Sequence, residues 1–212
     1  MQNPLRRQFE YRFFYASLAL IAVNFVFFFA TSIIPDLTYY LGLSPVYFVR
    51  RRMYWQIFTY MFIHGNMRHI LSNMLGLFFF GMTVERALGS KEFLLMYFVC
   101  GLASGLCSLA FYLWAGTYNV LLVGASGAVF AIMLAYAVIF PRANIYIWGI
   151  LPIPSPILVA AYAAIELLSQ LTGYKSNVAH YAHLFGFAAA FLYFIVRMGV
   201  NPVSVWKNAY FS

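Results

Sequence analysis

Three groups of side chains in this sequence have the types and spacing for acyl transfer: Ser126 in Gly124-Ala125-Ser126-Gly127, His183 in Ala182-His183-Leu184-Phe185-Gly186, and the pair His69 and Asn73. The apolar run Ala128 to Phe140 that follows the serine predicts a helix with Ser126 in its first turn. Unpaired backbone N–H groups and the positive end of the helix dipole favour developing negative charge there. His183 is the candidate general base, taking the serine proton during attack on a carbonyl and returning it to the leaving amine. His69 and Asn73 are four apart and share a helix face. With the backbone N–H of Ser126, and Gly124 beside it, they form the candidate oxyanion site, where each donor is worth about 3 to 4 kcal/mol in soluble proteases. A serine before a helix is by itself more often an N-cap, so Ser126 takes its meaning from the elements that bring it partners.

Those elements are membrane helices. Of the 212 residues 64% are hydrophobic, 21% aromatic and 8% charged, and the mean hydropathy is +0.81, more apolar surface than a soluble domain can hide. Runs of about 18 to 25 mostly apolar residues span a bilayer. Six such runs fit, at roughly 13–34, 67–84, 92–114, 126–141, 154–172 and 181–199. The expected fold is all-α and polytopic, one membrane domain over 1–212 with short tails. The long first connection, Pro35 to Asn66, is rich in aromatics and carries Arg50-Arg51-Arg52. From Tyr47 to Phe62 it is too polar to span and too apolar to float free, which predicts short amphipathic helices lying in the membrane interface. The basic start at Arg6, Arg7 and Arg12 precedes an apolar run longer than a signal-peptide core, so a retained first helix is expected.

The net charge of +8 comes from thirteen Lys and Arg grouped at the ends of apolar segments, a membrane-anchoring pattern with no basic groove for nucleic acid. Eight of them (Arg6, Arg7, Arg12, Arg86, Lys91, Arg142, Arg197, Lys207) fall on the side of the termini, and five (Arg50, Arg51, Arg52, Arg68, Lys175) fall opposite. The positive-inside bias then puts both termini in the cytoplasm. Spans two, four and six all start on the other side. Each carries polar residues in its first turns, namely His69 and Asn73, Ser126, and His180 and His183. Polar groups at membrane depth are costly and face the protein interior, so three sets in one leaflet are expected to meet. Gly127, Ala131 and Ala135 on span four, matched by Ala182, Gly186 and Ala190 on span six, supply a small-residue seam that brings two helices close. A direct serine-to-imidazole contact needs that approach.

The chain has five carboxylates: Glu10, Asp36, Glu85, Glu92 and Glu166. Glu166 lies within span five, where pairing with a polar group of a neighbouring helix is its expected role and a third catalytic member the alternative. Asp36 is expected to cap or turn the chain. His64 and His180 sit near the water boundary and are expected to be solvated or hydrogen-bonded, with His180 the second candidate base. No His-Glu-x-x-His or Cys/His cluster is present, so no metal is expected. Cys100 and Cys107 are seven apart in one span, about 10.5 Å along its axis, beyond disulfide reach. An α/β-hydrolase elbow fails because Ala128 replaces the needed glycine. A small transporter would place its polar groups at mid-membrane, whereas these lie near one surface.

In combination these residues resemble the rhomboid intramembrane serine proteases. The match rests on His69-Ile-Leu-Ser-Asn73, Glu85-Arg-Ala-Leu-Gly89-Ser90, Gly124-Ala-Ser126-Gly127 and Ala182-His183-Leu-Phe-Gly186, in that order over about residues 55 to 195. The resemblance implies a six-helix core, a Ser126–His183 dyad, oxyanion binding by His69 and Asn73, and cleavage of single-span membrane proteins near the membrane surface without a cofactor. It also implies substrate entry beside span five and a mobile cap between that span and the loop before it. Phe130 falls where the family often has an aromatic packed on the catalytic imidazole. Many members carry Trp-Arg in the first loop, where this chain has Trp55-Gln56. Any ion pair from that arginine to the glutamate matching Glu85 is then lost or remade by another arginine. Glu85 and Trp55 are expected to be structural, and Gly127 and Gly186 to support the seam. By resemblance alone, the compact six-span core suggests a bacterial plasma membrane, with membrane lipids as partners. A catalytically inactive relative that binds or escorts membrane proteins is the alternative, distinguished by its having no need of Ser126 and His183.

Overall fold

Six apolar segments become helices, as their patterning predicts, and a computed structural model describes residues 6, 9–147, 149–171 and 180–211. Arg7 and Lys175, counted by side above, lie outside the described residues. The first segment is α1 (Ala16–Ile33). The first connection folds into α2 (Asp36–Leu41), α3 (Pro45–Arg50) and α4 (Gln56–Thr59), followed by a 3₁₀ turn, Tyr60–Phe62. Asp36 lies in the first turn of α2, where a negative charge meets the positive end of the helix. The second segment is α5 (Met67–Gly76), which runs through a π-helical stretch, Leu77–Gly81, into α6 (Met82–Leu88). Then come α7 (Ser90–Trp114) and α8 (Ser126–Ile139). A short antiparallel hairpin of β1 (Asn144–Ile147) and β2 (Leu151–Pro154) leads to α9 (Ser155–Leu171). The chain ends with α10 (His180–Tyr193), continued by a π-helical stretch to Met198, and α11 (Pro202–Phe211).

The molecule is an all-α polytopic membrane protein with this one small hairpin. Ala16–Ile33, Ser90–Trp114 and His180–Met198 are each long and apolar enough to cross a membrane, and Ser126–Ile139 and Ser155–Ser169 are shorter apolar helices. The centre of the bundle is α8, none of whose residues is exposed. Its Ala131, Ile132, Ala135 and Ala137 are fully buried. Fourteen residues at about 1.5 Å each give roughly 21 Å, about 9 Å short of a hydrocarbon core near 30 Å. A helix this short does not reach both membrane surfaces.

Two polar networks tie the outer parts to this centre. Glu85, fully buried, accepts from the backbone N–H groups of Ala16 (2.6 Å) and Ser17 (2.8 Å) and from the hydroxyls of Ser17 (2.7 Å) and Ser90 (2.5 Å). A carboxylate from α6 therefore caps the start of α1, where amides lack intrahelical partners. Among the described residues no arginine takes part, so of the two expected outcomes the ion pair is lost and not remade; hydroxyl and amide donors use the carboxylate oxygens instead. In the first connection Gln56 is fully buried. Its Oε1 accepts from Ser44 N at 3.1 Å, and its Nε2 donates to the carbonyls of Tyr39 (2.9 Å) and Tyr40 (3.3 Å). Trp55 Nε1 donates to Tyr40 O at 3.0 Å, so Trp55 and Gln56 pin this connection without charge.

At the other end of the chain α11 packs back on the bundle. Trp206 Nε1 donates to Ala137 O (2.9 Å), and Tyr210 Oη donates to Pro141 O (2.6 Å). The short tail expected after the last span is a helix, held by aromatic tips of the kind that sequence patterning assigns to interfacial belts.

Candidate active site

The segment entering α8 is fixed from two sides before it delivers Ser126. Leu43 and Leu122 exchange backbone hydrogen bonds at 2.9 and 2.8 Å, and the N–H of Gly124 donates to Tyr60 O at 3.0 Å. Tyr60 is itself held by its hydroxyl on Gly101 O at 2.6 Å. Gly124 adopts φ +119, open to glycine and strained for other residues. A Cβ there would lie 2.6 Å from His69 Nε2 and 3.7 Å from Ser126 Oγ. The space beside Gly124 is therefore bounded by both side chains. Its N–H is engaged with Tyr60 O, so Gly124 does not donate to the oxyanion site where the sequence places it.

Ser126 is the first residue of α8, and the N-cap position belongs to Ala125 with no side-chain cap. The hydroxyl is thus not spent on capping, and the Ser126 N–H belongs to a first turn without an i−4 partner. Next in the chain, Gly127 makes the closest helix crossing in the molecule's centre. A Cβ on Gly186 of α10 would overlap the Gly127 carbonyl oxygen, and one on Gly127 would overlap Ser104 of α7 and reach 3.3 Å from Ala182 O. Ser104 Oγ donates to Ala182 O at 2.6 Å, binding α7 to the turn before His183.

His183 is 7% exposed and its ring lies flat on Phe130, with centroids 4.2 Å apart and planes 11° from parallel. Phe130 is buttressed edge-on by Phe187 and Tyr162 at 5.0 and 6.1 Å. On α5, the Asn66 side chain caps the helix by accepting from His69 N at 2.8 Å. Asn73 is buried and donates one amide hydrogen to His69 O at 3.0 Å, which leaves its second N–H as the group with oxyanion potential. The edge of the His64 ring meets His69 at 5.0 Å. Against expectation His64 is not solvated. It is 3% exposed, and neither ring nitrogen has a hydrogen-bond partner among the described residues. Burial, with the neighbouring His69 adding to it, pushes the His64 imidazole down to about 3, so it stays neutral.

Glu166 of α9 is buried and meets the site directly. One carboxylate oxygen lies 2.9 Å from His183 Nδ1 and the other 2.5 Å from His180 Nδ1. The contact to His183 is at ion-pair distance, while the ring N–H is not aligned for a hydrogen bond. The pairing with a neighbouring helix that the sequence led us to expect therefore involves the candidate base itself. An intramembrane acid opposite a His-x-x-His spacing carries that signal in the sequence. The contributions of Tyr60, Ser104 and Gln56 leave none, because each acts through a backbone carbonyl or amide far away in the chain. Among the described residues no group of three or more His, Cys, Asp and Glu is arranged to hold a metal ion.

Comparison with known proteins agrees with this architecture. Residues 51–199 match the Rhomboid domain family. The chain is 34% identical over 151 residues to the RHOMBOID-like protein 12, mitochondrial, of Arabidopsis thaliana, covering 63% of this chain and 44% of that protein. It is 30% identical over 144 residues to the putative rhomboid protease YdcA of Bacillus subtilis (strain 168), covering 66% and 65%. Over 106 residues it is 35% identical to the rhomboid protease GlpG of Salmonella choleraesuis (strain SC-B67), covering 49% and 36%. The matched stretch thus spans less than two thirds of each of these relatives. With its site motifs inside the matched stretch, the chain belongs to the rhomboid family.

Proposed function

We propose that this protein is an intramembrane serine endopeptidase that cleaves single-span membrane proteins in or near their transmembrane segments. Ser126 Oγ attacks the scissile carbonyl as His183 takes its proton, and the imidazolium then protonates the leaving amine. The resulting acyl-enzyme on Ser126 is hydrolysed by water, activated by the same histidine. The Ser126 N–H, His69 and the second amide hydrogen of Asn73 donate to the oxyanion. Water reaches this depth through a polar cavity lined by His69, Asn73 and His183, because irregular, wet backbone at membrane depth needs a protein-lined space. Substrate helices must unwind to offer a carbonyl, which favours small or helix-breaking residues near the cut.

The observation that carries this reading is the convergence of three helices on one small space. His69 and Ser126 bound the gap left by Gly124, and the Gly127–Gly186 crossing brings α10 with His183 against the same turn. The charge asymmetry supports cytoplasmic termini and a site open to the opposite side. A binding or escort role without catalysis is the competing reading, and the retained Ser126 and His183 speak against it.

The deciding experiment incubates the purified chain in detergent with a generic single-span substrate. Wild type cleaves, Ser126→Ala and His183→Ala do not, and a fluorophosphonate labels Ser126. Equal cleavage by all three proteins sinks the enzyme, and labelling of a different residue sinks the site.

A further inference from the structure

Glu166 has no part in the steps above, yet it is the one carboxylate in α9 and touches two histidines of α10. His180 and His183 are three apart and so project from one helix face, which lets a single carboxylate address both. A carboxylate 2.9 Å from Nδ1 favours, by its charge, the tautomer with hydrogen on that nitrogen, although the two are not aligned for a hydrogen bond, and leaves the Nε2 lone pair for a substrate or nucleophile. Phe130 already fixes the plane of the His183 ring by stacking at 4.2 Å. Rotation within that plane is left to be fixed, and the contact at Nδ1 is suited to do so. A buried imidazolium also needs a counter-charge in a medium that solvates ions poorly.

We propose that Glu166 is a positioning residue for His183, holding Nδ1 so that Nε2 is kept for Ser126, while His180 holds the other carboxylate oxygen in place. The inference rests on the serine-protease reading. In the proton balance, the Ser126 hydroxyl proton passes to His183 Nε2 and then to the leaving amine; Glu166 stays a carboxylate throughout. Since α9 carries the carboxylate and α10 the base, any displacement of α9 from α10 withdraws the support from His183.

The titratable groups facing His183 among the described residues are Glu166 from α9, His180 from its own helix and His69 from α5. The test compares wild type, Glu166→Gln, Glu166→Asp and Ser126→Ala in detergent, reading kcat and KM separately on the single-span substrate, with thermal unfolding as a folding check. Glu166→Gln is expected to lower kcat on the order of 100-fold or more with KM nearly unchanged, by analogy with loss of the orienting carboxylate in soluble triads. Glu166→Asp keeps the charge with a shorter reach, so kcat falls between the two. A Glu166→Gln enzyme with wild-type kcat overturns the proposal. If Glu166→Gln does not fold, Glu166→Asp decides: kcat equal to wild type overturns it, and a lowered kcat at unchanged KM upholds it. Ser126→Ala cleaving like wild type would instead refute the protease reading, so the two failures are distinguishable.

Discussion

A methyl group added at Gly186 would collide with the carbonyl oxygen of Gly127, a backbone atom that cannot rotate away. We therefore expect Gly186→Ala to force α8 and α10 apart, costing about 1–3 kcal/mol as an overpacked contact and lowering cleavage at least tenfold. Retained activity together with an unchanged unfolding midpoint would show that the seam is looser than its geometry. His64 gives a different kind of test. Its folded imidazole is pushed down to about 3, while the unfolded side chain titrates near 6.5. Below about 6.5 the unfolded chain binds a proton that the folded chain refuses, so stability falls as pH drops from there toward 3, by at most about 1.4 kcal/mol per pH unit. Unfolding curves of wild type and His64→Asn between pH 7 and 4 measure this. The variant should lose stability less steeply, and parallel slopes would remove His64 as the cause.

Among the elements, α1 shows how much of its start depends on a distant side chain. Glu85 accepts there from two backbone N–H groups and the Ser17 hydroxyl, and also from the Ser90 hydroxyl of α7, so Glu85→Gln replaces a fully used carboxylate with an amide whose donors face N–H groups. An expected cost of about 1–3 kcal/mol should appear as a lower unfolding midpoint, with kcat per folded molecule unchanged; a fall in kcat at constant stability would move Glu85 into the chemistry. The sequence made the apolar spans and the small-residue seam legible, because both depend on periodicity within one helix. It made the pairing of Glu166 legible in kind but not in partner, since the tilt of α9 against α10 decides which histidine is reached. The partners of Glu85 on α1 lie 68 and 69 residues away in the chain and the carbonyls that hold Gln56 16 and 17, and no local pattern points to them. The hairpin before α9 and the docked α11 escaped notice for a related reason. Each is short, and the Trp206 and Tyr210 tips that hold α11 look in sequence like any membrane-interface aromatic.

At the scale of the whole molecule, the proposed orientation makes a direct expectation about accessibility. In a Cys107→Ser background, a membrane-impermeant maleimide applied from the non-cytoplasmic side should label a cysteine at Thr117, between α7 and α8, and leave one at Asn201 unlabelled until the membrane is opened. The reverse pattern would invert the topology and move the site to the cytoplasmic face. The burial of α8 has a further physical result. The outer helices α1 and α9 bear exposed apolar residues such as Val26, Ile33, Ile157 and Ile165 and must adjust to bilayer thickness by tilting. No residue of α8 is exposed and only Phe130, Tyr136 and Ile139 are half-buried, so thickness acts on it mainly through its neighbours. In the proposed site the nucleophile then moves less than the water boundary around it, so that thinner membranes shorten the path from bulk water to Ser126 and thicker ones lengthen it.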